Sequence, residues 1–215
     1  MVFCLLLAAW TVSGQEIVDK TVAVVGSGAR SQLITYSDLV WQLALQPGVQ
    51  LDQPRSEDLN QALQTLINQR LFAIEAERLP RAAPNEKEIA DEITETLGFF
   101  PSPAAFETRL KQVGFESVKD EAFERLIAQR LAIEKYIDFR FASFVVITAD
   151  EETKYYRDAF VPDFRRRFPG LLMPTLDEKR GEMRQILTRQ KVAAAIEGFL
   201  DEAKRRVEIE VLIPV

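Results

Sequence analysis

The spacing of apolar residues changes several times along the chain, and each change marks an element. Residues 17–25, "IVDKTVAVV", are rich in β-branched side chains, and 32–36, "QLITY", form a second short run of strand formers. Gly-Ser-Gly at 26–28 lies between them. A loop that cradles a dinucleotide needs a third glycine and then a helix whose N-terminus meets the phosphate. Here the third position is Ser31, the next element is a strand, and the Gly-Lys-Ser/Thr of a P-loop is missing. The segment is predicted to be the tip of a hairpin.

Past residue 36 the period lengthens to that of a helix. Ser37 reads as the cap of a helix carrying Leu39, Val40, Leu43 and Ala44, and 47–55, "PGVQLDQPR", is a loop rich in breakers. Ser56 reads as the next cap, ahead of an apolar stripe formed by Leu59, Leu63, Leu66, Ile67, Leu71 and Ile74. Pro80 and Pro84 end that element, and Asn85 opens another with Ile89, Ile93 and Leu97 on one face. Ser102 and Pro103 begin a short helix that Gly114 stops. A long helix is predicted over 117–141, with Phe123, Leu126, Ile127, Leu131, Ile133 and Ile137 available for burial. Thr148 to Glu151 and Thr175 to Glu178 both have capping-box spacing. The first opens a helix through 151–160, the second a helix reaching about residue 206. The chain closes on 207–213, "VEIEVLI", whose alternation is that of a half-buried strand.

Strands at both termini with helices between have an economical solution. The last strand pairs with the first hairpin, since a lone hairpin is marginal in water. The expected fold is mainly α with a small antiparallel β-sheet, the N-terminal hairpin and C-terminal strand closing a helical core. Residues 15–148 then form an N-terminal module, and 149–215 supply C-terminal helices and a closing strand that pack on the same core.

Composition narrows the chemistry. At 215 residues the chain suits one sizeable domain or two small ones. It has no histidine, which removes histidine-based acid/base catalysis, Ser-His-Asp and Cys-His nucleophile pairs, and histidine-ligated metals. Its net charge of −6 argues against broad nucleic-acid binding, which needs clustered Lys and Arg. Acidic runs such as Glu86-Lys87-Glu88 and Asp91-Glu92 lack the alternating loop and glycine of a calcium site and read as solvated helix faces. No cofactor or metal is expected.

Residues 1–14, "MVFCLLLAAWTVSG", have an apolar core at 2–10 followed by Ser13 and Gly14, which suits signal-peptide cleavage before Gln15. A buried N-terminal strand or a short membrane anchor is the other reading. The single cysteine, Cys4, would leave with the leader, and a cysteine-free mature chain suits an oxidising compartment. Nothing later approaches the ~18 apolar residues needed to span a bilayer. The expected location is the periplasm or another exported compartment, without stable membrane insertion after cleavage.

Several segments, in order, resemble the SurA family of periplasmic chaperones and parvulin-type peptidyl-prolyl isomerases. "EIVDKTVAVVGSGARSQLITYSDLVWQL" (16–43) is similar to the family opening: an acidic start, a Val-rich strand, a turn, then Ile-Thr-x-Ser-Asp entering a helix. "LQTLINQRLFAIEAERL" (63–79) and "FETRLKQVGFESVKDEAFERLIAQRLAIEKYI" (106–137) resemble its later helices, and "ITADEETKYY" (147–156) its exit from the N-terminal module. In the family a parvulin domain of roughly ninety residues usually follows that exit. Here only 157–174 separates it from the C-terminal helix, and the histidines general to parvulin active sites are missing, so no isomerase residue carries over. The resemblance implies an exported holdase that binds unfolded or outer-membrane-bound polypeptides without catalysis. A divergent or vestigial prolyl isomerase and a fixed-partner assembly subunit are the alternatives.

A holdase needs exposed apolar and aromatic surface. The richest stretch is 155–174, "YYRDAFVPDFRRRFPGLLMP", with Tyr155, Tyr156, Phe160, Phe164, Phe168, Leu171, Leu172 and the adaptable Met173, in a segment expected to be broken by Pro162 and Pro169. Phe99 and Phe100, at a proline-rich turn, are a second candidate. Either set could instead fill the core. Arg165-Arg166-Arg167 reads as a solvated helical turn.

Overall fold

A computed structural model describes residues 19–28, 31–76 and 83–215. The leader expectation and the first residues of the expected strand lie outside them. Strand β1, Thr21–Val25, runs antiparallel to β2, Gln32–Thr35, across the predicted hairpin. Gly26 and Gly28 take positive φ (96° and 63°), backbone that side-chain-bearing residues resist. The terminal strand β3, Ile209–Val211, pairs antiparallel with the other edge of β1, giving the order β2-β1-β3. The opposite ends of the polypeptide thus share one sheet, in the register Ala23↔Val211, Val24↔Glu210 and Val25↔Ile209. β3 is shorter than its alternating pattern, and β1 bulges against β2 between Thr21 and Ala23. At the bulge both Leu212 N–H and Ile213 N–H turn to the Val22 carbonyl.

The helices are α1 (Tyr36–Ala44), α2 (Ser56–Ala76), α3 (Glu86–Gly98), α4 (Pro103–Gln112), α5 (Glu121–Ile137), α6 (Ala149–Tyr155), α7 (Val161–Arg167) and α8 (Leu176–Arg206). The apolar stripe of α2 works on two fronts. Leu59, Leu63, Leu66, Ile67 and Leu71 join Val22, Val25, Ile34, Leu39 and Leu43 in a core beneath the sheet. Farther along, Phe72 stacks on Phe199 of α8 (5.1 Å between ring centroids) beside Tyr136 and Phe141. A third, aromatic core lies between α3, α4 and α5, where Phe100, Phe106, Phe115 and Phe123 meet Ile93, Leu110 and Ile127. Trp41 joins it from α1, meeting Phe115 at a tilt with ring centroids 5.0 Å apart and donating its indole N–H to the Val113 carbonyl at 3.0 Å.

Most expected caps are in place. Asn85, Ser102, Thr148 and Thr175 each accept from a first-turn amide, three of them as full capping boxes. Three expectations move. α1 is capped by Thr35 in a box with Asp38, because β2 gives out one residue before its strand-like pattern does; Ser37 already lies inside the helix. Ser56 is the first residue of its helix, not the one before it. α5 starts at Glu121 under an Asp120 cap, since Ser117 to Asp120 closes into a turn first. At its far end α5 passes into a π-helical turn, Asp138–Ala142, where Ser143 N–H reaches back five residues to the Asp138 carbonyl.

One side chain on α4 closes a seam that hydrophobic pattern cannot predict. The Arg109 guanidinium donates to the carbonyls of Leu43, Ala44, Gln46 and Val49 at 2.8–3.2 Å, capping the end of α1 and pinning the following loop. These carbonyls are among those a helix terminus leaves unpaired. Partial burial holds the Arg109 pKa below its usual value, yet it stays a cation. Arg109→Ala is expected to destabilise the fold by about 2 kcal/mol in chemical denaturation. Arg109→Lys should recover little of it, because an ammonium cannot span carbonyls that a planar fork reaches together. Full recovery by lysine would contradict the fork argument.

Candidate functional site

Residues 149–167 form one helical arm, and 168–174 the loop that returns from it. α6 passes through a π-helical turn, Tyr156–Phe160, into α7, and the helix continues across Pro162 to Arg167. The expected break at Pro162 is absent for a physical reason. Within an α-helix proline lacks a donor and clashes with the carbonyl four residues back. Here Val161 N–H bonds five residues back to the Tyr156 carbonyl, and Pro162 takes a first-turn place in α7, where its missing donor costs nothing. Pro169 follows the helix end, as expected.

The arm lines up its aromatics. Tyr156, Phe160, Phe164 and Phe168 recur every fourth residue, with successive ring centroids 5.6, 5.7 and 5.1 Å apart. Tyr155, Tyr156, Phe160 and Phe164 are half-buried, and Met173 with them. Outward from there exposure rises: Phe168 is 47%, Leu171 65% and Leu172 93% exposed. The return loop turns at Gly170 (φ 90°) and is tied to the arm where Tyr156 Oη–H donates to the Pro174 carbonyl at 2.8 Å. An aromatic ladder therefore runs from the body of the protein to an open apolar tip.

What fixes the arm is electrostatic. Glu152 of α6 is completely buried, and each of its carboxylate oxygens meets a guanidinium of α8, Arg180 at 2.7 Å and Arg184 at 2.6 Å. Beside it Lys191 binds Glu151 at 2.7 Å and donates to the Val146 carbonyl at 2.9 Å. The Lys191 hydrogen bond, with the Thr148 amide, pulls the Glu151 carboxyl down to about 2, so that pair stays charged in all but strong acid. Met183 of α8, one turn from Arg180, is almost fully buried.

No protein-family model matches the chain, and no curated protein matches it. Among the described residues no helix is long and apolar enough to cross a membrane, and no group of acidic, cysteine or histidine side chains is placed to hold a metal.

The second candidate splits. Phe99 is 66% exposed, whereas Phe100 is 8% exposed and packs on Phe106 at 4.6 Å under the Arg109 guanidinium. Phe100 is a core residue; two adjacent phenylalanines at a turn cannot both face inward. The arginine run lies on the exposed last turn of α7, where Arg166 and Arg167 both pair with Asp163. A further apolar patch escaped the sequence reading. Phe139, Phe144 and Val146 are 51%, 72% and 72% exposed around the π-helical turn that leads toward α6. The signal was present in "DFRFASFVV", but an uninterrupted helical period over 117–141 assigns Phe139 no special place.

Proposed function

We propose that the protein is an exported holdase, which binds unfolded apolar polypeptide segments along the arm and its tip and performs no chemistry on them. The observation that carries this is Leu172 at 93% exposure, continuous with Leu171, Phe168 and the aromatic ladder. Burying a leucine side chain is worth roughly 1.5–3 kcal/mol, so a fold that leaves a contiguous run of such side chains in water forgoes stability. Single exposed apolar residues need no explanation, but a contiguous patch calls for a partner. Side-chain contact with aromatics and methionine tolerates varied sequences, as a holdase requires. The order of segments over 16–156, similar to the SurA family opening, and a leader suited to export support the same reading. The Phe139, Phe144 and Val146 patch would add a second contact for longer clients.

The test is suppression of aggregation of a chemically denatured client, with wild-type protein and a Phe168→Ser/Leu171→Ser/Leu172→Ser variant. All three side chains are exposed, so the variant should melt as the parent does. Wild type is expected to protect at stoichiometric amounts. The variant should need at least about tenfold more protein, since about 1.4 kcal/mol is one decade and each lost contact is worth about that much. No protection by wild type sinks the holdase reading; equal protection by the variant removes the tip from it.

A further inference from the structure

We propose that a pocket at the junction of α1, α2 and α5 binds the carboxylate end of a peptide whose last side chain is apolar. This is independent of the arm. The pocket encloses about 220 Å³ and is walled by Trp41, Leu66, Leu126 and Ile133 on its apolar side. That is smaller than the ~300–1,000 Å³ typical of drug-sized ligands, which suits one terminal residue and not a nucleotide.

The charge in the wall is the reverse of the protein's. In a chain of net charge −6, this pocket presents Arg70, Arg125 and Arg130 against one carboxylate, Asp38. Asp38 is already engaged, accepting from Thr35 N–H at 3.0 Å as part of the α1 cap and meeting Arg70 Nη2 only at 3.4 Å. Arg70 Nε is buried and has no acceptor among the described residues. Arg130 is largely desolvated, which lowers its pKa against the longer-range pull of Glu134 and Glu92. Among the described residues its hydrogen-bond partner is neutral, the Gln42 side-chain carbonyl at 2.9 Å. A part-buried arginine commonly has a carboxylate of its own. Arg130, with donors to spare, and Arg70 thus line one space that also offers an apolar wall.

A carboxylate fits the planar guanidinium fork, and the apolar wall takes the side chain beside it. Gln69 and Gln129, also in the lining, can pair with the amide of the last peptide bond. A phosphate would set its whole surface of charge against the apolar wall and Asp38, which disfavours it.

The test is calorimetry on the full chain with four probes: a hexapeptide ending in leucine with a free carboxylate, its C-terminal amide, N-acetyl-leucine, and inorganic phosphate. The free-acid peptide is expected to bind, and the amide to bind at least about tenfold more weakly, one decade in Kd. N-acetyl-leucine binding as well as the peptide would reduce the occupant to a single acylated residue; weaker binding would assign it to a chain end. Both outcomes support carboxylate recognition. Arg130→Met, which keeps the aliphatic stem, should abolish the preference for acid over amide. Should that variant not fold, Arg125→Gln on the exposed rim should still reduce the preference. Equal binding of acid and amide, tighter binding of phosphate, or no binding of the free acid up to about 1 mM would overturn the proposal.

Discussion

Phe123→Ala is expected to destabilise the protein by about 3–5 kcal/mol, the usual range for removing a fully buried aromatic. Phe123 has no solvent exposure and sits edge-on to both Phe106 (5.9 Å) and Phe115 (5.4 Å), so truncation loses two ring contacts as well as volume. Its surroundings are poorly placed to collapse into the gap. Phe106 is held by Phe100, Phe115 by Trp41, and Trp41 is hydrogen-bonded to Val113. For a chain of this size each kcal/mol moves the melting temperature by roughly 2–4 °C, so a fall on the order of 10 °C is expected in thermal unfolding followed by circular dichroism. Phe99→Ala, nearby but 66% exposed, should stay within about 0.5 kcal/mol of the parent. If the two variants melted alike, the assignment of Phe123 to a closed aromatic core would be wrong.

That core also marks where sequence reading stops. Helical period places Phe123 and Ile127 inward on α5, and the Ile89, Ile93, Leu97 stripe inward on α3, and both elements pack accordingly. Local chemistry was equally legible at Asn85, Ser102, Thr148 and Thr175, because a helix cap is a contact between near neighbours. Alternation in "VEIEVLI" gave the closing strand, and the marginal stability of an isolated hairpin gave its partner. Thr35 was missed as a cap because Gln32 to Tyr36 all favour strand, and only the pairing with β1 decides which residue is the last.

Nonlocal decisions left weaker traces. Nothing in composition separates Phe99 from Phe100; the choice depends on Phe106 and Arg109 arriving from another helix. A π-helical turn inserts a residue without changing the residue types around it, so the arm reads as broken at Pro162 while the backbone carries it through. The carbonyl cluster under Arg109 has no sequence signature at all, since it is made of main-chain atoms. Nor has the Arg70 and Arg130 pocket, whose members come from three helices far apart along the chain.

The largest effect on the arm should come from stranding Glu152. Its two guanidinium partners are not equivalent to it: Glu152 is wholly buried, whereas the side chains of Arg180 and Arg184 are 40% and 58% exposed. Removing the acid lets both arginines return to water; removing the arginines leaves a buried carboxyl group without its partners. Glu152→Gln is therefore expected to be mild, and Arg180→Ala with Arg184→Ala more severe, read as the larger fall in melting temperature. The damage should be local before it is global, because α8 also packs on α2 through Phe199 and Phe72, well away from Glu152. Hydrogen exchange should show α6 and α7 losing protection while β1 and α2 keep theirs. The decisive variant adds Glu152→Gln to the arginine pair. A merely geometric role for these residues makes the third substitution harmful or neutral, whereas a stranded charge makes it a rescue, restoring protection of the arm. Since the aromatic ladder hangs from α6, client protection should fall and recover in the same order.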